Sequence, residues 1–129
     1  MPVVTQLSIF LENKPGVLAR LCRTFSQQKV NILGLSVSDT VDHAVVRLIT
    51  SNPAKASAIL EEAGVLVVET EVLSLSLPDQ PGVLAALADK LSKAKINIEY
   101  AYGTTQEAGG NLILRVSDIP KAKKLLKIK

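Results

Sequence analysis

Two short stretches hold the groups best placed to do chemistry. Asn13 stands two residues ahead of Pro15-Gly16-Val17-Leu18, and Asp79 two ahead of Pro81-Gly82-Val83-Leu84. A loop that opens a helix presents backbone N–H groups without intrahelical acceptors, and the helix dipole strengthens their pull on an anion. Proline stiffens the approach and contributes no donor, while glycine lets a ligand come close to the main chain. The amides of Gly16, Val17 and Leu18 are therefore candidate holders of a carboxylate. The Asn13 carboxamide beside them both donates and accepts. Asp79, when ionised, only accepts, so it suits an ammonium and repels a carboxylate. The two turns are expected to bind unequally, the first more tightly.

No catalytic set accompanies them. His43 has no cysteine or second histidine at metal-ligand spacing, and no metal or cofactor is expected. Cys22 falls on an apolar helix stripe, and its counterpart in the second stretch is Ala88, so it reads as a small core residue. No Ser-His-Asp, Cys-His or paired-carboxylate arrangement is present, and an enzyme is not expected. The chain carries 47% hydrophobic and 21% charged residues, the balance of a soluble folded protein. With two Phe, two Tyr and no Trp, its core must come from Val, Leu, Ile and Ala. The longest apolar run is six residues, VLAALA (83–88), against roughly 20 for a membrane span. The N-terminus lacks the basic flank and cleavage site of a signal peptide, and one cysteine fits a reducing compartment. A cytoplasmic location is the expectation. The net charge of +3 comes from the end, where KAKKLLKIK (121–129) holds five lysines. Ala122, Leu125 and Leu126 recur at helical spacing there, so the lysines read as a solvated helix face rather than a nucleic-acid site.

The elements that must position the turns are written twice. Shifting the sequence by 66 lays Pro15-Gly16-Val17-Leu18-Ala19 on Pro81-Gly82-Val83-Leu84-Ala85, and Val30-Asn31-Ile32 on Ile96-Asn97-Ile98. Ten of eighteen positions agree over 15–32 and 81–98, which marks an internal duplication. Further along, AVVRLIT (44–50) matches LILRVSD (112–118) after a two-residue insertion, and NPAKASAIL resembles IPKAKKLL.

Leu7, Ile9 and Leu11 alternate along a first strand, and Val17, Leu18, Leu21, Cys22 and Phe25 repeat at helical spacing to about Gln28. VNILGLSV and HAVVRLIT read as further strands. Asn52-Pro53 opens a second helix that Gly64 closes, with Ala56, Ile59, Leu60 and Ala63 inward. VLVVE is a fourth strand that runs on into the second copy. The fold class is α+β: two tandem βαββαβ units of the ferredoxin-like kind, antiparallel sheets with helices on one face. The expected domains are 1–70 and 71–129. The second ends after its second helix and lacks its last strand, leaving an edge to be covered.

ENKPGVL with VNI (30–32), and DQPGVL with INI (96–98), make the chain similar to the ACT domain family, over essentially its whole length. The first copy is similar in particular to the serine-binding regulatory domain of D-3-phosphoglycerate dehydrogenase. That resemblance implies small regulatory modules that bind amino acids at interfaces between paired domains. It assigns Asn13, Asn31 and Ile32 to the ligand together with the Gly16, Val17 and Leu18 main chain. In the second copy the places fall to Asp79, Gly82, Val83, Leu84, Asn97 and Ile98. The alternative for Asn31 and Asn97 is a hydrogen bond to their own loops. Serine-binding members typically carry a histidine two residues before the first asparagine, where this chain has Leu11.

Rival functions on the same topology lack their residues. Acylphosphatases need an arginine in the loop after the first strand, whereas Arg20 lies a turn into the helix and Ala86 is its counterpart. RNA-recognition motifs need stacking aromatics, and HAVVRLIT and NLILRVS have none. Tyr100 and Tyr102 share a strand face and read as packing. The expectation is a regulatory protein that senses a free amino acid as a homodimer, acting in trans on an enzyme or through its own oligomeric state. The alternative is a purely structural assembly module without ligand.

Overall fold

The computed structural model describes residues 3–12, 14–39, 43–78, 80–106 and 109–127. Leu7, Ile9 and Leu11 point to the core from strand β1 (Val3–Glu12), as a period-two pattern requires. Helix α1 (Val17–Gln27) buries Leu21 and Phe25 and ends in a Schellman closure: Val30 N–H donates to Phe25 O at 2.9 Å, and Lys29, at φ 61°, donates to Ser26 O at 3.1 Å. Strands β2 (Ile32–Asp39) and β3 (His43–Thr50) follow, then helix α2 (Pro53–Glu62) and strand β4 (Val67–Leu77). The second copy continues with α3 (Val83–Lys93), β5 (Ile98–Gln106), β6 (Gly109–Val116) and α4 (Ile119–Leu125).

The chain forms two compact units. One is Thr5–Thr70, with strand order β2-β3-β1-β4 and antiparallel β1/β3 and β2/β3 pairs. Its core joins Leu7, Ile9, Val46 and Leu48 of the sheet to Phe25 of α1 and Ala56 and Leu60 of α2. Ala63, expected inward, is exposed beyond the end of α2, and Ser57 takes a buried place instead. The other unit takes Glu71–Lys129 together with Met1–Val4. Within it β4/β6 and β5/β6 are antiparallel, and Leu73, Leu87, Leu91, Leu114 and Ala122 form the centre of the core. Val3 packs against that core. Among the described residues no strand follows α4, and Val3 and Val4 belong with the second unit.

The period of 66 persists to the last helix, which corrects the insertion expected from the sequence. Ile32 pairs with Thr50 and Ile98 with Val116, each followed by a register shift of the same kind. Ser51 N–H donates to Asn31 O at 2.9 Å, and Ser117 N–H to Asn97 O at 3.0 Å. Asn52 caps α2 by accepting from Lys55 N–H, and Asp118 caps α4 by accepting from Lys121 N–H. AVVRLIT therefore lies on residues 110–116. The shared arginine misleads: Arg47 pairs with Ser36, but Arg115 pairs with Tyr100 and stands where the first unit has Ile49. Likewise Pro53 is the first residue of its helix and Pro120 the second.

Candidate functional site

Both Pro-Gly turns share their backbone dihedrals and hydrogen-bond lengths. Gly16 caps α1 at φ 87°, ψ −13°, and Gly82 caps α3 at φ 89°, ψ −10°. This left-handed conformation is what demands glycine. A Cβ at either position would meet nothing within 4 Å, so both glycines face open space. Val17 N–H reaches back to Lys14 O at 3.4 Å, and Val83 N–H to Gln80 O at the same distance. Both contacts are long for N–H donors. Neither helix has a side-chain cap. Among the described residues no acceptor meets the N–H groups of Gly16, Leu18, Gly82 or Leu84. Asn13 and Asp79, expected beside these amides, lie outside the described residues.

Charge at the two mouths differs. Lys14 Nζ contacts Glu12 Oε2 at 2.8 Å, an exposed pair. Its hydrogen bond first, and its charge second, hold the Glu12 carboxyl below the usual glutamate range, and the same contact raises Lys14. The corresponding positions in the second unit are Pro78 and Gln80, which carry no charge.

The main chains of Asn31 and Asn97 bond not to their own loops but to residues twenty positions on, Ser51 and Ser117. Asn31 N–H donates to Ser51 Oγ at 2.9 Å, and Asn97 N–H donates to Ser117 Oγ at 2.9 Å. Together with the return bonds from Ser51 and Ser117 these fix each asparagine twice. Among the described residues neither side-chain carboxamide has a partner, and both residues are exposed. The backbone is anchored and the side chain is left available.

Two equivalent grooves lie at these asparagines. The first, of about 350 Å³, is lined by Cys22, Phe25, Ser26, Lys29, Val30, Asn31 and Ile32. The second, of about 380 Å³, is lined by Ala88, Ser92, Lys95, Ile96, Asn97 and Ile98. Both are open, shallow depressions rather than enclosed cavities. Of the expected residues, the grooves bring together Asn31 with Ile32 and Asn97 with Ile98. They do not include Gly16, Val17, Leu18, Gly82, Val83 or Leu84. An eleven-residue helix spans about 16 Å, and the turn and the asparagine sit at its opposite ends. Val17 and Leu18 are half-buried, packed against the core. Tyr100 and Tyr102 pair across the sheet with Arg115 and Ile113 and line neither groove. Cys22, read as core, is only half-buried and forms part of a groove wall. Lys29 and Lys95 carried no role in the sequence; their recurrence at one offset was the available signal. Among the described residues no cluster of metal-ligating side chains occurs, and no helix is long and apolar enough to cross a membrane.

The family model described as ACT domain pair matches residues 2–129. The crystal structure of protein BT0572 from Bacteroides thetaiotaomicron superposes with a TM-score of 0.92 at 34% identity, covering 97% of this chain and 87% of that one. The ligand-free regulatory subunit of aspartate kinase from Thermus thermophilus gives a TM-score of 0.71 at 14% identity, over 98% and 96%. That from Thermus flavus gives 0.67 at 15%, over 98% and 94%. No curated protein matches.

Proposed function

The chain belongs to the ACT domain pair family, and from that premise we propose that it is a cytoplasmic regulatory protein, not an enzyme, that binds a free small amino acid at interfaces between ACT folds. ACT domains are regulatory rather than catalytic modules. One observation carries the reading. Each unit caps its second helix with its own side chain, Asn52 or Asp118, whereas among the described residues no side chain caps the first helix behind its left-handed glycine. Exposed amides at a helix start favour a carboxylate, and the anchored, outward Asn31 and Asn97 offer a donor and an acceptor apiece.

The 16 Å between the two ends of α1 exceeds the reach of a small amino acid. A ligand touching both kinds of group takes the helix mouth from one chain and the asparagine from a second copy. This geometry favours a homodimer, and regulation then acts through oligomeric state or in trans on an enzyme. Coupling of this kind is typically worth about 1–3 kcal/mol. The finer resemblance to the serine-binding domain of D-3-phosphoglycerate dehydrogenase does not extend to its ligand. Leu11, where those domains carry histidine, belongs to the hydrophobic core, which argues against serine. The reading as an assembly module without ligand draws support from the exposed apolar residues of β2, and would appear as a tight dimer that no amino acid affects.

Thermal melts against the twenty amino acids test the proposal. A ligand at 100 times its Kd adds about 2.7 kcal/mol. Asn31→Ala should remove most of that shift while leaving the unliganded melt unchanged, since its carboxamide supports nothing in the fold. Twenty flat melts would overturn the reading.

A further inference from the structure

We propose that the grooves at the ends of α1 and α3 are anion subsites, in which Lys29 and Lys95 bind an acidic side chain of the sensed amino acid. This rests on the amino-acid reading above and narrows it to a ligand carrying a second carboxylate. The two grooves repeat one donor set at one offset: Ser26, Lys29 and Asn31 in the first, Ser92, Lys95 and Asn97 in the second. Between them the ammonium, hydroxyl and amide supply more donors than acceptors, which suits a carboxylate. Val30 and Ile32, or Ile96 and Ile98, give an apolar wall for the methylene carbons between the two acid groups.

Among the described residues neither lysine has a carboxylate partner. A flexible four-carbon stem lets each ammonium swing over its groove. Their backbone conformation alone marks nothing. Lys29 and Lys95 have φ 61° and 60°, but Lys127 after α4 has φ 57° as well. What sets Lys29 and Lys95 apart is a groove shared with an asparagine whose side chain is free. A lysine serving only the helix end would complement the dipole; replacing it would then alter the unliganded melt and leave ligand preference as it was.

The test titrates the full chain with aspartate, glutamate, asparagine and glutamine by calorimetry and thermal melting. At least one acid should bind at least tenfold more tightly than its own amide. Lys29→Met with Lys95→Met should erase that difference. Lys29→Gly with Lys95→Gly should erase it too while keeping or raising the unliganded melt, because glycine tolerates the left-handed conformation. An amide that binds as well as its acid, or a neutral or basic amino acid as the preferred ligand, overturns the acidic-ligand inference and leaves the sensor reading standing. A preference that survives both double variants overturns the role of the lysines. Flat titrations with all twenty amino acids overturn both.

Discussion

Thr50 and Val116 occupy the same place in the two repeats, at the end of β3 and of β6, and only one of them suits it. Thr50 is 6% exposed and its hydroxyl has no hydrogen-bond partner, whereas Val116 is 1% exposed and has none to seek. A buried hydroxyl without a partner costs roughly 1–3 kcal/mol against an apolar group of the same shape. Thr50→Val should therefore raise stability by about 1 kcal/mol, read as a higher denaturation midpoint with an unchanged denaturant slope. The duplicated sequence named both positions, but only the paired strands equate them. Aligning on the shared arginine set Thr50 against Asp118, and the preference for valine was hidden.

At the scale of elements, the division of labour between helices is the informative feature. Asn52 and Asp118 cap α2 and α4, and replacing either by alanine should cost about 1 kcal/mol. Among the described residues no side chain caps α1 or α3. Gly16→Ala should nevertheless destabilise by about 1 kcal/mol, through its positive φ rather than through crowding. Chemical denaturation of the three single variants checks both statements. Most of this was legible early, because a proline-glycine pair and an Asx-Pro or Asx-Ile-Pro start are signals carried by adjacent residues. The strand register was not, since it depends on hydrogen bonds between β2 and β3 that sequence spacing does not record.

For the whole molecule, the two outer strands differ in kind. On β2, Leu33, Leu35 and Val37 are exposed by 62%, 44% and 49%. The same places on β5 hold Glu99, Ala101 and Gly103. An edge with a charge and small residues resists pairing, while an apolar edge invites it. One adhesive edge per chain closes as a symmetric pair rather than extending into a filament. The protein should elute as a dimer at micromolar concentration, and Leu35→Lys should convert it to a monomer with its far-UV circular dichroism retained. A monomeric parent protein would refute the dimer.

By itself the sequence determined the elements, the duplication, the two glycine turns and the family, because periodicity, turn chemistry and repeated motifs are local and survive in one dimension. Tertiary structure alone decided three things: that the repeat runs without insertion, that the first residues of the chain join the second unit, and that each asparagine stands a helix length from its turn in a groove shared with a lysine. Each of those depends on contacts between residues far apart in the chain, where hydrogen-bonded register and helix length, rather than residue type, set the distance.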